Sequence, residues 1–566
     1  APIAKTLRPV REESVDFDTT KNLFIEGDNL DALKLLQESY LGKVKLIYID
    51  PPYNTGNDFV YEDDFAETVD EYLLRSGQTD ESGAKLTANP ESNGRFHSDW
   101  LAMMLPRLKL ARALLSRDGV LCMSIDDNEA HNLRRLTEEV FGPSNFVAQV
   151  AVQVNPRGRH LDRFVAKTHD SILIFVRDAM SDAIRGIAKS GRMADEYRHS
   201  DERGPYRLLG LRNRNQAFNP DTRPNLYFPL YVSPASGYVG LERNAEFSVE
   251  VWPDAPDGTK TCWTWGREKV RDGNSLLVAE QASAGEWRVY RKDYLYDGDG
   301  EAAKTLVKSL WLEPEFSNDQ GRRSIKELFG APLMDFPKSP DLLGRLIEIG
   351  CAEPRGIVMD FFAGSCTTAH AVMSANARDD GERRFVMVQV AEACDPTSAA
   401  FKAGFSTVAS LGTERIRRAG KVISEESDKD LDVGFRLLRV DSTNMTDVLR
   451  APDGTEQEQI AMYEDSVKAG RQGEDLLFQV LLDSGLELSL PIDCERSGGC
   501  EVLTVDGGAL IACFDSNIEV DFVREIASRE PLRAVFRDSA FATDADRINA
   551  EQIFAEVSPS TDVKVI

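Results

Sequence analysis

Short apolar runs and helically spaced leucines alternate along the first 150 residues. Runs at residues 22–26 and 44–50 are typical of buried strands, and Leu30, Leu33 and Leu36 lie between them at the spacing of one helix face. The next predicted elements are a helix over residues 100–115, a strand over 119–125 and a helix over 128–141. This alternation predicts an α/β fold with a mostly parallel sheet flanked by helices.

Between residues 151 and 330 this alternation stops. Short strand-type runs, Pro and Gly turns and many arginines replace it, so we predict a domain inserted into the sheet. Its candidate strands lie at residues 171–176, 227–232 and 263–265. Strand and helix patterns then return at residues 357–361, 367–377 and 385–390, which predicts that the sheet resumes after the insertion.

From residue 431 the pattern changes again. Candidate helices at residues 456–469 and 473–484 are followed by short apolar runs at 501–505 and 509–514. This order is typical of a separate α+β domain. The 566 residues thus divide into segments 1–150, 151–330, 331–430 and 431–566, in keeping with a length that allows three or four domains.

The charge of the chain is distributed unevenly. A net charge of -27 opposes nucleic-acid binding, because a surface that binds DNA has to neutralise phosphates. Residues 421–566 hold 14 basic and 31 acidic side chains, a balance of -17, whereas residues 151–230 hold 14 basic and 9 acidic ones, a balance of +5. The acidity therefore lies mainly in the last segment, and the locally basic middle segment remains compatible with DNA.

Composition disfavours membrane, secreted and zinc proteins. No apolar run approaches the ~18 residues of a membrane span, and the first residues resemble neither a secretory signal nor a transit peptide, so we expect a cytoplasmic protein. The eight cysteines include no Cys-x-x-Cys pair. Cys494 and Cys500 lie close in sequence, but no neighbouring His or Cys completes a site, so we expect no metal.

The first string that carries chemistry is Asp50-Pro51-Pro52-Tyr53, which follows a predicted buried strand. Ligands in open α/β sheets bind beyond the carboxyl ends of the strands, and two prolines impose a stiff turn that cannot continue a strand. A bare Asp-Pro-Pro is most often only such a turn. The full string after a buried strand favours an active site.

A second string, residues 358–368, passes from a strand through a small-residue turn into a helix. Small residues allow the backbone to approach a ligand closely, and a helix N-terminus offers free N–H groups to an anion. Gln389 and Glu392 end the next strand, where such folds place groups that bind ribose hydroxyls. An exposed loop acid is an equally good interpretation of Glu392.

Together these strings resemble the β class of DNA amino-methyltransferases, in which the catalytic motif precedes the target-recognition domain and the cofactor motif follows it. More closely, the chain resembles the modification subunits of type III restriction-modification systems. The matching strings are residues 26–30, 50–59, 124–129, 336–338, 360–372, 474–480, 533–538 and 546–549. The resemblance implies a Rossmann-like methyltransferase sheet with an inserted target-recognition domain and a C-terminal α+β domain for oligomerisation and partner binding.

The resemblance also implies an activity: site-specific transfer of a methyl group from S-adenosylmethionine to N6 of an adenine flipped out of double-stranded DNA. The exocyclic amine of adenine is a poor nucleophile, because its lone pair is delocalised into the ring. The Asp50 carboxylate and the Pro51 carbonyl can accept hydrogen bonds from this amine, and Tyr53 can stack on the base. Methylation of cytosine N4 poses the same chemical problem and is the closest alternative, since Asp before Pro-Pro only leans towards adenine.

Position by position, the resemblance assigns Asp50, Pro51, Pro52 and Tyr53 to catalysis. It assigns to the cofactor pocket Asp28, Lys338, Asp360, Phe361, Phe362, Gly364, Ser365, Thr367 and Thr368. One departure concerns Cys366, which stands where the family usually has glycine. A position that requires a positive φ would strain Cys, but we expect residue 366 to lie in the first helical turn, where Cys is harmless.

Five arginines of the middle segment are candidates for contacts to DNA phosphates or bases, because arginine is the preferred guanine reader and backbone clamp. They are Arg157, Arg159, Arg163, Arg212 and Arg214. A solvated basic face is an equally good interpretation. Trp263 and Trp265 could stack on bases, but alternate aromatics more often pack on a core. For His169, in Thr168-His169-Asp170, a structural hydrogen bond is the favoured interpretation.

The resemblance implies partners as well. Type III modification subunits pair with one another and with a separate ATP-dependent restriction subunit that has helicase and endonuclease functions, so we expect a homodimer and a restriction subunit. The chain has no Gly-x-x-x-x-Gly-Lys-Ser/Thr loop, and ATP-driven steps would therefore need that partner. A catalytically silent subunit that only recognises DNA or acts as a scaffold is the alternative from a different class.

Overall fold

The computed structural model describes residues 4–55, 96–158, 164–189, 191–283, 285–297, 300–445, 467–516 and 518–566. Within these residues the strands are β1 (Lys5–Pro9), β2 (Leu23–Glu26), β3 (Val44–Ile49), β4 (Leu115–Ile125), β5 (Phe146–Val152), β6 (Asp170–Val176), β7 (Ile187–Ala188), β8 (His199–Asp201), β9 (Gly204–Gly210), β10 (Leu230–Val232), β11 (Val239–Gly240), β12 (Val249–Val251), β13 (Leu277–Gln281), β14 (Trp287–Tyr294), β15 (Lys304–Thr305), β16 (Leu310–Trp311), β17 (Arg355–Asp360), β18 (Glu382–Gln389), β19 (Arg436–Ser442), β20 (Ile492–Ser497), β21 (Cys500–Val505), β22 (Leu510–Cys513), β23 (Arg533–Phe536) and β24 (Asp562–Val565). The α-helices are α1 (Asn29–Tyr40), α2 (Phe96–Leu114), α3 (Ala130–Phe141), α4 (Arg267–Asp272), α5 (Asn318–Phe329), α6 (Pro340–Gly350), α7 (Thr367–Asp379), α8 (Ala399–Lys402), α9 (Val408–Glu426), α10 (Gly473–Asp483), α11 (Val520–Ser528) and α12 (Asp544–Val557).

In the described part of the chain, ten strands form one large sheet in the order β1-β19-β2-β18-β17-β3-β4-β6-β5-β16. The six strands from β19 to β4 in this order are mutually parallel, whereas β1 and β6 pair antiparallel with their neighbours β19 and β4. Central strands such as β3 are almost wholly buried, which explains their near-continuous apolar sequences. The predicted α/β fold with a mostly parallel sheet is confirmed.

Helices cover both faces of the large sheet. On one face Ile47 and Ile49 of β3 share a core with Leu33 of α1 and Leu108 of α2. Leu46 points to the opposite face, where it packs closely against Gly350 at the end of α6. Alternate residues of a strand point to opposite faces, so each central strand has to be apolar along its whole length.

Residues Gly186–Val307 form a compact unit of their own. The unit holds the sheets β13-β14-β9-β8, β11-β10-β12 and β15-β7. It is narrower than the predicted segment 151–330, because β5, β6 and β16 pair within the large sheet. A short apolar run does not reveal which sheet it joins. For that reason the sequence predicts residues 171–176 as part of the insertion, whereas they form β6 of the large sheet.

Trp263 and Trp265 belong to the core of this compact unit, in line with the interpretation favoured from the sequence. Both are buried, at 2% and 6% exposure, and the Trp263 indole N–H donates to the carbonyl of Phe228 at 2.8 Å. The predicted strand at 263–265 is reduced to an isolated bridge between Trp263 and Arg212. The two indoles are therefore structural, not candidates for base stacking.

The C-terminal segment is joined to the large sheet, whereas the sequence predicts a separate domain. Its first strand, β19, lies inside that sheet, and α10 packs against β1 and α1. A five-stranded sheet in the order β20-β21-β22-β23-β24 follows, and Leu503 of this sheet shares one continuous core with Leu477 and Leu36. The predicted helix at 456–469 falls almost entirely outside the described residues.

Two further expectations concern membranes and metals. Among the described helices none is both long enough and apolar enough to cross a membrane. In the same part of the chain, the ligand atoms of Cys500, Cys513 and Asp515 lie within 4.8 Å of one another. Cys513 comes from the strand next to Cys500, a neighbour that sequence spacing could not reveal, and three ligands alone do not complete the four of a structural zinc site.

Candidate active site

The ends of several neighbouring strands bring polar side chains to one edge of the large sheet. Asp50 follows β3, Asp360 ends the adjacent strand β17, and Gln389 ends β18. Asp28 follows β2 by two residues. Because parallel strands present their carboxyl ends on the same edge, the two strings that carry chemistry in the sequence meet there, as the sequence predicted.

The catalytic string folds back on itself. The Tyr53 hydroxyl donates to Asp50 Oδ1 at 2.9 Å, and the Asp50 side chain retains 27% exposure. The Trp100 indole N–H donates to the Pro52 carbonyl at 2.8 Å, whereas the Pro51 carbonyl accepts from no described donor. The Asp50 carboxylate is thus partly exposed and can be reached by a ligand, with Tyr53 bonded to its Oδ1 atom.

Asn54, the residue directly after the catalytic string, is held by buried polar contacts. Asn54 has a positive φ of 56° and is buried, and its side-chain amide donates to Glu129 Oε1 at 2.7 Å. His97 and Asn132 also contact the Glu129 carboxylate. Asn tolerates the left-handed region better than most residues do, and a buried partner keeps the turn in place.

Lys338 lies with the catalytic string. Its ammonium group donates to the Tyr53 hydroxyl at 2.6 Å and lies 3.3 Å from Asp50 Oδ1. The residue precedes Ser339, whose side chain caps the N-terminus of α6. The resemblance assigned Lys338 to the cofactor pocket, but the contacts here are with the two side chains assigned to catalysis.

Asp170 completes this cluster and was not among the site residues predicted from the sequence. Its Oδ2 atom lies 3.4 Å from both Lys338 Nζ and the Tyr53 hydroxyl. Asp170 begins β6, which runs antiparallel to β4. The amino end of β6 therefore lies at the same sheet edge as the carboxyl ends of the parallel strands. The only signal in the sequence was its place next to His169, which is itself exposed.

Opposing effects act on Asp50, and burial, the largest of them, leaves its pKa above the usual value. Burial raises the pKa of Asp50, Lys338 and the Tyr53 hydrogen bond lower it, and Asp170 raises it again. Burial would lower the pKa of Lys338, but Asp50 and Asp170 outweigh it and the pKa is raised. The pKa of Tyr53 lies well above its usual value because of burial and the neighbouring carboxylates. At neutral pH Lys338 is therefore charged and Tyr53 remains a hydrogen-bond donor.

On the cofactor side, Asp360 holds the turn that leads into α7. Its Oδ2 accepts from the Thr368 hydroxyl at 2.6 Å and its Oδ1 accepts from the Phe362 N–H at 3.1 Å. The residue is 2% exposed, and burial raises its pKa to about 7. Asp360 thus organises the loop from below it.

Other residues assigned to the cofactor pocket also have structural partners. Gln389 Oε1 accepts from the Gly364 N–H at 2.6 Å, which ties the end of β18 to the loop. The rings of Phe361 and Phe362 pack against each other in the core. Glu392 is exposed beyond β18.

The expectation for Cys366 is wrong. The residue has φ 59° and ψ 38°, in the left-handed region, and it precedes α7 as its N-cap instead of lying in the first helical turn. The position therefore does favour glycine. A Cβ on Gly412 of α9 would lie 2.8 Å from Cys366 Sγ, so glycine at 412 leaves the room that the thiol occupies.

Arg415 of α9 lies behind the same loop and was also missed by sequence reasoning. It is fully buried, and one of its terminal nitrogens donates to the Ser365 hydroxyl at 2.9 Å and the Thr367 hydroxyl at 2.5 Å. Its Nε atom is buried without a partner, and burial lowers its pKa to about 10. A buried guanidinium bonded to neutral oxygens lends positive potential to the loop, which fits a ligand with a carboxylate.

Asp28 caps the N-terminus of α1 and connects this helix to the site. Its carboxylate accepts from the Asp31 N–H at 3.0 Å and lies 3.6 Å from a guanidinium nitrogen of Arg107. The neighbouring Asn29 donates to the Phe361 carbonyl at 2.8 Å. These contacts bring Asp28 to the cofactor side of the sheet edge and leave its side chain 31% exposed.

The arginines proposed for DNA contacts are placed as follows. Arg157 follows β5 and is exposed, Arg214 is exposed within the compact unit, and Arg212 is half-buried beside Trp263. Arg159 and Arg163 lie outside the described residues.

Known proteins are similar to this chain over most of its length. A protein-family profile described as DNA methylase matches residues 44–417. The type III restriction-modification enzyme EcoPI Mod subunit of Escherichia phage P1 is 32% identical over 487 residues, which cover 85% of this chain and 74% of the phage protein. The type II methyltransferase M.KpnI of Klebsiella pneumoniae is 29% identical over 402 residues, 70% of this chain and 88% of its own. Among solved structures, the PvuII DNA methyltransferase (cytosine-N4-specific) covers 72% of this chain and 95% of its own, with 12% identity and a TM-score of 0.31.

The profile spans both strings that meet at the sheet edge, and the phage relative extends the similarity into the C-terminal segment. The predicted DNA methyltransferase activity and its cofactor are thereby confirmed. The chain therefore belongs to the N6/N4 DNA methylases, among relatives that are type III modification subunits, and is an S-adenosylmethionine-dependent DNA methyltransferase of a restriction-modification system.

Proposed function

We propose that this enzyme flips an adenine out of double-stranded DNA and methylates its N6 atom with Asp50, Pro51, Pro52 and Tyr53. The observation that carries the proposal is the position of Asp50, at the end of β3 and directly beside β17, which leads into the cofactor loop. An amine held at Asp50 would face a methyl group held by that loop. The reacting atoms are then brought together by two adjacent strands.

Asp50 and the Pro51 carbonyl act on the amine. Both are acceptors, and hydrogen bonds from the amine to them draw its lone pair out of the ring system as the nitrogen becomes tetrahedral in the transition state. Pro52 stiffens the turn, and the hydrogen bond from Trp100 holds the Pro52 carbonyl in place. Tyr53 offers an aromatic ring on which the extruded base can stack.

The cofactor loop binds the methyl donor. S-adenosylmethionine supplies an electrophilic methyl group on a sulfonium. Its carboxylate would lie near the N-terminus of α7, where Ser365, Thr367 and Arg415 provide donors and positive potential. Asp360, Thr368 and Gln389 hold the loop in shape. The groups proposed to reach the ligand itself are the exposed Asp28 and Glu392 and the backbone at Gly364.

The compact unit Gly186–Val307 is proposed to be the target-recognition domain. Its arginines, Arg212 and Arg214 among them, are suited to phosphate and guanine contacts, as is Arg157 in the larger unit. Arg159 and Arg163 are included in this proposal from the sequence. The recognition domain thus selects the site and the large sheet performs the chemistry.

We also propose that the enzyme works with partners in the cytoplasm. Its phage relative is by name the Mod subunit of a type III enzyme. A homodimer of this chain and an ATP-dependent restriction subunit are therefore the expected assembly. The strongly acidic last segment is better suited to contact protein than DNA.

Methyl transfer from labelled S-adenosylmethionine tests the proposal. The purified chain is incubated with DNA of mixed sequence, and the DNA is hydrolysed and separated into nucleosides. We expect label in N6-methyladenine, a loss of about 1,000-fold in the rate for Asp50→Ala, and a loss of about 10- to 100-fold for Tyr53→Ala, which removes base stacking. Asp319→Ala, at an exposed acid of α5, is the matched control and should retain full rate.

Two results would contradict the proposal. Label in N4-methylcytosine would reverse the assignment of the base. DNA binding without any transfer, in the presence of saturating S-adenosylmethionine, would instead indicate a silent recognition subunit.

A further inference from the structure

The cluster of Asp50, Tyr53, Asp170 and Lys338 holds more groups than base stacking and amine binding require. One ammonium group lies between two carboxylates and a phenol, within 2.6 to 3.4 Å of all three. The side chains of Lys338 and Asp170 are only 10% and 11% exposed. A buried ion pair contributes little net stability, because the loss of hydration offsets the attraction. The large sheet therefore has no evident need of it.

We propose that Asp170 and Lys338 are positioning residues for methyl transfer: they anchor the Tyr53 hydroxyl and, acting in opposite directions, set the charge state of Asp50. This inference rests on the proposed function of Asp50 and Tyr53. Neither Asp170 nor Lys338 needs to touch the base or the cofactor. Each acts through a side chain that does.

The anchoring role follows from where the charged groups meet Tyr53. Lys338 Nζ is 2.6 Å from the hydroxyl oxygen but 5.1 Å from the ring centroid, so it approaches the end of the side chain and does not cover the ring. The same hydroxyl donates to Asp50 and lies 3.4 Å from Asp170. Three charged partners at one atom restrict rotation of the ring before any base arrives.

The charge-setting role follows from the sign of each neighbour. Asp50 accepts hydrogen bonds from an amine most strongly when it is ionised, and its burial opposes ionisation. Lys338 favours the ionised form by attraction, and Asp170 opposes it by repulsion. The other titratable groups that act on Asp50 are Tyr53, Tyr48 and Asp360.

The test is the pH profile of single-turnover methyl transfer with saturating DNA and S-adenosylmethionine. The rate of the wild type rises with pH as Asp50 ionises. Removing the positive charge in Lys338→Gln raises the pKa of Asp50, so the rising limb should move to higher pH by about one unit. Removing the negative charge in Asp170→Asn lowers that pKa, so the limb should move to lower pH. A purely structural role would reduce the rate of both variants without shifting the rising parts of their pH profiles in opposite directions.

Tyr53→Phe tests the anchoring role. It keeps the ring but lacks the hydroxyl on which Asp170 and Lys338 act. Asp170→Asn should lower the maximal rate roughly tenfold in the wild-type background and much less in the Tyr53→Phe background, because contacting residues are not additive. Lys338→Arg keeps the charge and should leave the limb at the wild-type pH.

The outcomes are distinct. Limbs that move in the same direction, or do not move, overturn the inference while the wild type still methylates adenine. Failure of the wild type to methylate adenine overturns the proposed function instead. A variant that loses the cooperative thermal transition of the wild type is replaced by Asp170→Glu or Lys338→Arg, which keep the charge. The rising part of the pH profile of these variants should lie at the wild-type pH. A shift of that profile overturns the inference.

Discussion

A single backbone torsion decides which side chains position 366 accepts. At φ 59° a β-branched residue is strained far more than Cys, and glycine is not strained at all. The departure from glycine is visible in the sequence but the torsion is not, because a strand-turn-helix string does not show where the helix begins. The thiol is accommodated by Gly412, 46 residues later in the chain, which sequence spacing gives no reason to pair with it.

We expect Cys366→Val to lower the free energy of unfolding by about 2 kcal/mol or more, since it places a β-branched residue in the left-handed region and adds bulk beside Gly412. Cys366→Gly should stay within about 1 kcal/mol of the wild type, because relief of strain offsets the lost burial of the thiol. Chemical denaturation of the three proteins checks this. Equal destabilisation by both variants would show that the torsion is not the constraint.

Arg415 offers a second prediction at the same scale. Arg415→Met removes the positive charge behind Ser365 and Thr367, so we expect the Kd for S-adenosylmethionine to rise about tenfold, equivalent to roughly 1.4 kcal/mol. Calorimetric titration measures this. Arg418→Met, on the same helix but 42% exposed, is the control and should bind normally. If both variants bind S-adenosylmethionine with a similar Kd, Arg415 does not contribute to cofactor binding.

At the scale of elements, the parallel strands could be predicted and the antiparallel ones could not be placed. The runs that became β2, β3, β17 and β18 are apolar and alternate with helical patterns, so their pattern predicts both the element and the sheet. The run that became β6 is equally apolar, but nothing in its sequence indicates that it returns antiparallel to β4. Asp170, at its start, was missed for that reason.

Close packing of α5 positions the loop that carries Lys338. A Cβ on Gly321 would lie 1.9 Å from the Pro337 carbonyl oxygen, so any side chain there has to displace the loop. We expect Gly321→Ala to cost about 2 kcal/mol of stability and to lower kcat, because Lys338 directly follows Pro337. Thermal unfolding and a methylation assay measure the two effects.

Gly210→Ala provides the comparison for this variant. No atom lies within 4 Å of a Cβ built at Gly210, so this substitution should change neither quantity. A stable and fully active Gly321→Ala variant would show that α5 and the loop can move apart at little cost in free energy, and that their close packing does not position Lys338.

At the scale of the whole molecule, the compact unit Gly186–Val307 begins and ends at one short pair of strands, β7 and β15. Lys304 pairs with Ala188 and Thr305 with Ile187, so the two ends of Gly186–Val307 lie side by side. The loss of strand-helix alternation predicts this insertion, but the predicted segment 151–330 is wider than the unit itself. Likewise the helix and strand pattern after residue 430 predicts a separate domain, although β19 is one of the inner strands of the large sheet.

Because the ends of the unit are adjacent, residues 187–306 can be replaced by a short Gly-Ser linker. We expect the shortened protein to fold and to bind S-adenosylmethionine with a Kd within about threefold of the full chain, since the binding groups lie on the large sheet. Site-specific DNA methylation should be lost. Calorimetry and sequencing of treated DNA measure both, and retained methylation at the original site would place recognition elsewhere.

The paired ends of this unit also have an evolutionary consequence. Because the chain leaves and re-enters the larger unit through neighbouring residues, the length and sequence of the compact unit can change, or be exchanged between relatives, while the residues of the large sheet stay the same. If the compact unit reads the target as proposed, one recombination event would give the enzyme a new target sequence with the same catalytic groups in place.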